Sequence, residues 1–248
     1  MISKKLSALL ATVPLALALA VSMPGHSAEK GADSKKGTNV DKDKKTGSAQ
    51  TQAVELAALA DQLATYGDRK KDAMALIVAA KIQSEVGVQA GKQERTAGKG
   101  KGSDKGDKKS GAAPQPRDTS VAGLTARAKQ YAGDRKDLIA LADDVAKSGA
   151  RGAVGGPKGA THVVEARATD HFRNISFQAG QPAAVAISGD GDTDLDLFVY
   201  DENNLLICRS DSAGDDEICR WTPRWTGVFR FEVRNLGTVY NRYRILTN

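Results

Sequence analysis

The spacing of apolar residues differs between two parts of the chain. Up to about residue 150, apolar positions recur three and four residues apart, which is the spacing of one face of an α-helix. From about residue 160, short runs alternate apolar and polar positions or are rich in β-branched residues, as in strands. The pattern predicts a multidomain protein: an N-terminal α-helical repeat of two hairpins, then a C-terminal all-β antiparallel sandwich.

The helical part contains an internal repeat with an offset of 65 residues. Residues 66–76 (YGDRKKDAMAL) align with residues 131–141 (YAGDRKDLIAL). Each copy is predicted as helix, Gly-Asp-Arg break and helix, giving hairpin 1 at 51–90 and hairpin 2 at 120–150. The apolar stripes of the first helices are Leu56, Leu59, Leu63 and Tyr66 in copy 1, and Val121, Leu124, Ala128 and Tyr131 in copy 2.

Each hairpin has a thin, alanine-rich apolar stripe. The two hairpins would bury both stripes by packing together as a small four-helix bundle, or each would pack on a partner protein. The repeated tyrosine and Gly-Asp-Arg have two interpretations. They form a binding motif, or Tyr66 and Tyr131 end a packed stripe and Gly-Asp-Arg makes a polar turn.

Eight short segments after residue 160 are separated by turn residues, a pattern typical of a β-sandwich over 160–248. In GVFRFEVRN the positions Phe229, Phe231 and Val233 point one way, and the charged residues between them point the other. The eight predicted strands are THVVEARAT, HFRNISF, PAAVAIS, LDLFVYD, LLICRS, EICRWTP, GVFRFEVRN and NRYRILT.

The segments 29–50 and 91–119 are made of Lys, Gly, Asp, Ser and Thr with few apolar residues. Because such segments bury too little surface to offset the entropy of ordering, both are predicted to be disordered tethers, and 151–159 a Gly-rich linker. Acidic residues are interspersed with the lysines and no aromatic residue offers a stacking surface, so nucleic acid is not the expected partner.

The N-terminus has the form of a secretory signal over residues 1–28. Lys4 and Lys5 precede an apolar run from Leu6 to Val21, and small residues follow up to Ala28. The alternative is an uncleaved membrane anchor, for which the apolar run is short. The sequence therefore predicts a periplasmic or secreted bacterial protein without an integral membrane span.

The amino-acid composition changes at the same place as the spacing of the apolar residues. The segment from residue 160 holds 9 arginines, no lysine and 13 acidic residues, whereas the preceding segment carries a net positive charge. Ten of the twelve aromatic residues also lie after residue 160. Such a break marks a domain boundary.

Residues 182–207 (PAAVAISGDGDTDLDLFVYDENNLLI) and 221–245 (WTPRWTGVFRFEVRNLGTVYNRYRI) resemble the bacterial pre-peptidase C-terminal (PPC) domain. The resemblance covers about residues 160–248. It implies a jelly-roll-like sandwich appended to exported proteins, some of which bind calcium or insoluble polymers. The usual Asn-Gly turn is Asn203-Asn204 here, and a helical repeat stands where many relatives carry a peptidase, so the resemblance does not predict an enzyme.

Four aspartates alternate along the loop and strand GDGDTDLDLFVYD: Asp190, Asp192, Asp194 and Asp196. An EF-hand is excluded because its glycine position holds Leu195. Leu195, Leu197 and Val199 instead predict a core strand over 194–200, with an acidic loop at 189–193 and a turn at 201–204. Oxygen ligands at a strand entrance would still bind Ca²⁺; the alternative is a set of solvated turn carboxylates.

Cys208 and Cys219 would form a disulfide in an oxidising compartment, facing each other if their segments make a hairpin. Trp221 and Trp225 either contact a ligand or cap the sandwich core. His162 and His171 belong to no catalytic motif, and neither G-x-S-x-G nor H-E-x-x-H occurs.

These features together predict an exported, non-enzymatic binding or envelope-associated protein. Its expected partner is a protein or an envelope or extracellular polymer. The alternative is an accessory or inhibitor-like module that acts with an exported protease. The sequence calls for no cofactor other than calcium.

Overall fold

The computed structural model describes residues 37–100, 118–148 and 155–248. The predicted signal at 1–28 lies outside the described residues, as do parts of the predicted linkers. In the described ranges, the helices lack the length and apolar character needed to cross a membrane. The helices are α1 (Ala49–Lys70), α2 (Ala73–Val86), α3 (Val121–Ala132) and α4 (Lys136–Ser148).

All eight predicted strands are present, and two short strands precede them. The short strands are β1 (Gln89–Ala90) and β2 (Glu94–Thr96). The others are β3 (Lys158–Val164), β4 (Thr169–Phe177), β5 (Ala183–Ser188), β6 (Leu195–Tyr200), β7 (Leu206–Ser210), β8 (Asp216–Trp221), β9 (Gly227–Asn235) and β10 (Asn241–Thr247).

The strands form two sheets that face each other as a sandwich. Sheet A has the order β1-β3-β10-β5-β8, and sheet B has the order β2-β4-β9-β6-β7. Pairing is antiparallel except between β1 and β3, which are parallel. The inner faces bury one apolar core, to which β6 contributes Leu195, Leu197 and Val199 as predicted.

Helix α1 covers the outer face of sheet A. Strand β5 is buried on both sides, because Val185 and Ile187 point into the sandwich while Ala184 and Ala186 lie under the helix. The facing residues of α1 are also small and apolar: Val54, Ala57 and Ala58. The helical repeat and the sandwich therefore share a core.

Two ion pairs join α1 to sheet A. Arg244 on β10 donates to Asp61 on α1 at 2.8 Å, and both side chains are largely buried. Arg220 on β8 donates to Glu55 at 2.5 Å in a more exposed position. The buried pair helps to fix the position of the helix, because separating it would take each buried charge from the opposite charge that it faces.

The two hairpins pack on each other through α2, as one of the two alternatives predicted. Helix α2 contacts α1, α3 and α4, and together they bury a second apolar core. Gly67 allows α1 and α2 to approach closely, since a Cβ atom there would lie 2.9 Å from Leu76 Cγ.

Three of the four residues of the predicted stripe of hairpin 1 are exposed, whereas Leu63 packs against the helical core. Leu56, Leu59 and Tyr66 are 45%, 43% and 51% exposed, because α1 turns its alanine-rich side to the sheet. Tyr66 therefore does not end a packed stripe, whereas Tyr131 packs against the helical core. In copy 2 the equivalent residues Leu124 and Ala128 are fully buried, as expected.

The Gly-Asp-Arg motif makes a turn in one copy only. In copy 1 helix α1 continues through Lys70 and ends at Lys71, whose φ of 56° is left-handed. In copy 2 helix α3 ends at Ala132, and its C-cap is Gly133, the first residue of the motif. The prediction of a break at Gly-Asp-Arg is thus wrong for copy 1.

The first predicted tether is partly ordered. Asn39 is fully buried, and its backbone N–H donates to Asp201. Its side-chain amide donates to the backbone carbonyl of Trp225 and accepts from the backbone N–H of the same residue. Thr222 also donates to the carbonyl of Lys45. The prediction fails here because these partners are distant in sequence and supply the hydrogen bonds that the local composition does not indicate.

The start of the second predicted tether, 91–119, is also ordered. We call residues 89–98 the strap, since they pass from the edge of sheet A (β1) to the edge of sheet B (β2). Arg95 of the strap donates to the buried carboxylate of Asp170 at 2.9 Å, and Gly98 N–H donates to it at 3.0 Å. Tyr243 also donates to Asp170, at 2.7 Å.

Cys208 and Cys219 form a disulfide, with Cα atoms 5.8 Å apart. The predicted hairpin between their strands is wrong. Cys208 pairs with Val199 in sheet B, and Cys219 pairs with Val185 in sheet A. The disulfide therefore joins the edge strands β7 and β8 of the two sheets, on the side opposite the strap.

Removing the disulfide should weaken the sandwich. Because the bond closes a loop with a sequence separation of 11, we expect the double variant C208A/C219A to lose about 3 kcal/mol of unfolding free energy. Urea denaturation followed by tryptophan fluorescence measures the loss. An unchanged midpoint would show that the sheets stay together without the covalent link.

His162 lies beside the Arg95–Asp170 pair and packs between aromatic rings. Its ring centroid is 5.3 Å from that of Phe172 and 6.0 Å from that of Tyr243. Burial of the imidazole, aided by the positive charge of Arg95 and opposed by Asp170, lowers the pKa of His162 to about 4. The folded protein therefore holds this side chain neutral.

Acid should destabilise the protein through His162. Since its pKa falls on folding from 6.5 to about 4, its stabilising contribution is complete above pH 6.5 and is lost as the pH falls towards 4. Between pH 7 and 4.5 we expect wild type to lose about 2 kcal/mol more than H162F, which keeps an aromatic ring there. Urea denaturation at both pH values measures this; equal losses would contradict it.

Candidate functional site: the outer face of sheet B

The helices pack on sheet A, whereas the outer face of sheet B carries half-exposed and exposed side chains around the buried Asp196, Phe198 and Glu232. Its residues come from the outward positions of β4, β9, β6 and β7, since alternate residues of a strand point to opposite faces. The sequence predicted the outward direction of Arg230, Glu232 and Arg234, and the structure confirms it: the intervening Phe231 and Val233 lie in the core.

The strand register aligns four outward residues in a row across the sheet. His171 on β4 is opposite Glu232 on β9, which is opposite Phe198 on β6, which is opposite Arg209 on β7. On either side of this row, Arg230 faces Tyr200 and Asp196 faces Arg234. We call this set the arginine–aromatic face: His171, Asp196, Phe198, Tyr200, Arg209, Arg230, Glu232 and Arg234.

Glu232 is the centre of the arginine–aromatic face. Its carboxylate accepts from Arg230 at 2.5 Å and from Arg234 at 2.6 Å. His171 Nδ1 lies 3.7 Å away, and Tyr200 OH donates to the same carboxylate at 3.5 Å. Burial opposes ionisation of Glu232, but hydrogen bonds from the two guanidinium groups outweigh it and keep its pKa below the ordinary value.

Each guanidinium held by Glu232 also lies over an aromatic ring. The Arg230 guanidinium is 3.8 Å from the Tyr200 ring centroid, and that of Arg234 is 4.0 Å from the Phe198 centroid. Stacking and ion pairing together restrict both side chains, so a ligand that meets them pays little to order them. The planar forks suit carboxylate groups and flat protein surfaces.

The four aspartates of the calcium hypothesis have different neighbours in the structure. The carboxylate of Asp190 accepts from the backbone N–H of Arg242, whereas Asp192 lies 3.7 Å from the Arg69 guanidinium. Asp196 belongs to the arginine–aromatic face, where burial and the charge of Asp194 raise its pKa. Within 37–100, 118–148 and 155–248, no group of three or more His, Cys, Asp or Glu residues is placed to hold a metal ion.

Neither tryptophan forms a ligand surface. Trp221 is 1% exposed and packs edge-on against Phe177 in the sandwich core. Trp225 is also buried, and its indole N–H donates to Glu202 at 2.6 Å. Of the two interpretations of these residues, packing in the core is the one that the structure supports.

Removing Glu232 should disturb the arginine–aromatic face more than removing a carboxylate at its rim. Because Glu232 is largely buried and neutralises two guanidinium groups, we expect E232A to lose about 2 kcal/mol of unfolding free energy. The matched change D211A removes the partner of the exposed Arg209 and should cost under about 1 kcal/mol. Equal losses in urea denaturation would contradict the central position of Glu232.

No protein-family model matches the sequence, and no curated protein sequence matches it. Among solved structures, the chain is similar to Aeromonas hydrophila PliG, a periplasmic lysozyme inhibitor of g-type lysozyme. The sequences are 12% identical, the match covers 37% of this chain and 84% of that chain, and the TM-score is 0.29. A TM-score of that size assigns neither a fold nor a function to this chain.

Proposed function

We propose that this chain is an exported, non-enzymatic binding protein that engages a partner protein through the arginine–aromatic face. The observation that carries the proposal is the rigid stacking of Arg230 and Arg234 on aromatic rings around Glu232. Arginine and aromatic residues dominate the energetics of protein interfaces, especially where they are already ordered.

Export is part of this proposal. It is supported by the signal-like pattern of residues 1–28 and by the disulfide, since disulfides persist in oxidising compartments. The compartment is then the periplasm or the medium. An envelope or extracellular polymer is the other class of partner that the resemblance to the PPC domain suggests.

We further infer that the sandwich is a jelly roll of the PPC type. The strand orders β3-β10-β5-β8 and β4-β9-β6-β7 support this inference, because eight strands distributed over two sheets in this way form two Greek keys. Calcium binding stays a hypothesis from the sequence. A calorimetric titration of the full chain with Ca²⁺ tests it. The absence of both binding heat and a shift in melting temperature would contradict the hypothesis.

The binding proposal is tested by site-specific crosslinking. A photo-crosslinking amino acid in place of the exposed Arg209 should capture a partner from a bacterial envelope extract. The same probe in an R230A/R234A background should capture at least tenfold less, because the ordered guanidinium groups are gone. The matched control is R135A, which removes an exposed arginine from the turn before α4.

The outcomes separate the alternatives. Circular dichroism and melting curves establish whether the R230A/R234A variant folds. If that variant does not fold, the R209A variant without the probe takes its place, and co-purification of the captured partner measures binding. A captured protease whose activity falls on binding supports the accessory or inhibitor-like alternative, and co-sedimentation with envelope polymer supports the polymer. Capture that is equal in wild type and R230A/R234A would falsify the proposed site.

A further inference from the structure

An open pocket of about 620 Å³ lies between the strap and the edge of the sandwich. The strap crosses from sheet A to sheet B after Ala90, the last residue of β1, and before Glu94, the first residue of β2. The start of β3, the second half of β4 and the end of β10 complete the walls. We call this cavity the strap pocket. Its volume lies within the range of sites that hold small molecules in proteins.

A β-bulge in β4 shapes one wall of the strap pocket. The pairing of β4 with β9 shifts between Phe172 and Ile175, and Asn174 has a left-handed φ of 58°. As a result, the neighbouring residues Arg173 and Asn174 are both exposed. Asn174 Nδ2 donates to Glu94 at 2.6 Å, which ties the strap to the bulge. Because the pairing of β2 with β4 starts at Glu94 and Arg173, the rest of the bulge is left open to the pocket.

Three cationic side chains from three elements line the strap pocket: Lys92 on the strap, Lys158 on β3 and Arg173 on β4. All three are exposed, and none forms an ion pair with another of the residues that the structure describes. The opposing charges are Glu94, which the Asn174 amide already binds, and the terminal carboxylate of Asn248. Positive charge therefore remains in excess, and an anionic group in the pocket would be stabilised by it.

The amide of Gln93 is a second feature of the strap pocket that points to a ligand. Gln93 belongs to the lining, and both its Oε1 and its Nε2 are shielded from solvent. Within the described residues, neither atom has a hydrogen-bond partner. Gly91 makes room for this amide, since a Cβ atom at that position would lie 2.5 Å from Oε1. Buried polar groups are nearly always paired, so a ligand that both donates to and accepts from the amide would satisfy Gln93.

The remaining lining residues narrow the chemistry of the ligand. Ser176 and Thr247 add hydroxyl groups, which donate and accept hydrogen bonds. Among the described residues of the lining none is aromatic, so the pocket has no surface on which a nucleobase would stack. Excess positive charge, an amide and hydroxyls together suit a ligand that carries both acidic groups and hydroxyls. A saccharide with carboxylate or sulfate groups has this chemistry.

We propose that the strap pocket binds an acidic saccharide. Lys92, Lys158 and Arg173 pair with its acidic groups, and Gln93 exchanges hydrogen bonds with its hydroxyls. Because the strap is already tied to the bulge, the site is largely formed before the ligand arrives. The strap pocket shares no residue with the arginine–aromatic face, so this site goes beyond the proposed binding of a partner protein.

Isothermal titration calorimetry of the full chain tests the proposal with three acidic probes: tetragalacturonate, a hyaluronan tetrasaccharide and a heparin tetrasaccharide. At least one should bind, with an affinity that falls as salt is added, because exposed charges are screened. Neutral maltotetraose, which offers hydroxyls without acidic groups, should not bind. Failure of all three acidic probes overturns the proposal, and so does equal binding of maltotetraose.

Two matched double variants show whether the pocket itself is the site. K92Q/K158Q should weaken binding of the acidic probe about tenfold or more, because two charge-assisted contacts are lost. K70Q/K81Q removes the same charge from exposed positions on α1 and α2 and should bind like wild type. An equal loss in both variants would show attraction to net charge alone and would overturn the site.

The acidic saccharide has two sources, a free oligosaccharide and a polymer chain. Retention of wild type, but not of K92Q/K158Q, on the immobilised polysaccharide that corresponds to the bound probe supports the polymer. Binding of the tetrasaccharide without such retention supports the free oligosaccharide.

The variant Q93L separates recognition of the saccharide from a structural role. Since the Gln93 amide has no hydrogen-bond partner among the described residues, the melting temperature should not fall. Affinity for the acidic probe should nevertheless fall about fivefold or more, because the hydroxyls of the ligand lose their partner. A lower melting temperature with unchanged affinity would assign Gln93 to the fold and contradict the proposal.

Discussion

The close approach of α1 to sheet A is the constraint on which the rest of the structure depends. Ala184 and Ala186 on the sheet face Ala57 and Ala58 on the helix, so the backbones approach with little side chain between them. At this separation the buried Arg244–Asp61 pair can form. With α1 fixed, α2 and the second hairpin take their places, and the strap that follows α2 reaches the edges of both sheets.

The strands could be predicted from the sequence because a period of two is a local property. The buried side of α1 could not. Leucines and Tyr66 mark one helical stripe, but alanines at the complementary positions make the closer contact with a sheet that is distant in sequence. The ordering of the strap around Arg95 was missed for a similar reason: its partner Asp170 lies 75 residues away.

The candidate site shows the same limit. Alternation placed Arg230, Glu232 and Arg234 on the outward side of β9, but the aromatic rings beneath the guanidinium groups belong to β6, and only the register between the strands brings them together. The cysteine pair was predicted correctly, whereas its structural context was not. Sequence proximity suggested a hairpin, and the chain instead crosses between the sheets.

The two crossings between the sheets lie at opposite edges of the sandwich. An exposed strand edge offers unpaired N–H and C=O groups to any other chain, which is a common route to aggregation. Here one pair of edges is held together covalently, and the other pair ends in strands of two and three residues from the strap. The strap therefore leaves edges of only two and three residues to a stray strand on its side of the sandwich, and the disulfide keeps the edges on the other side from separating.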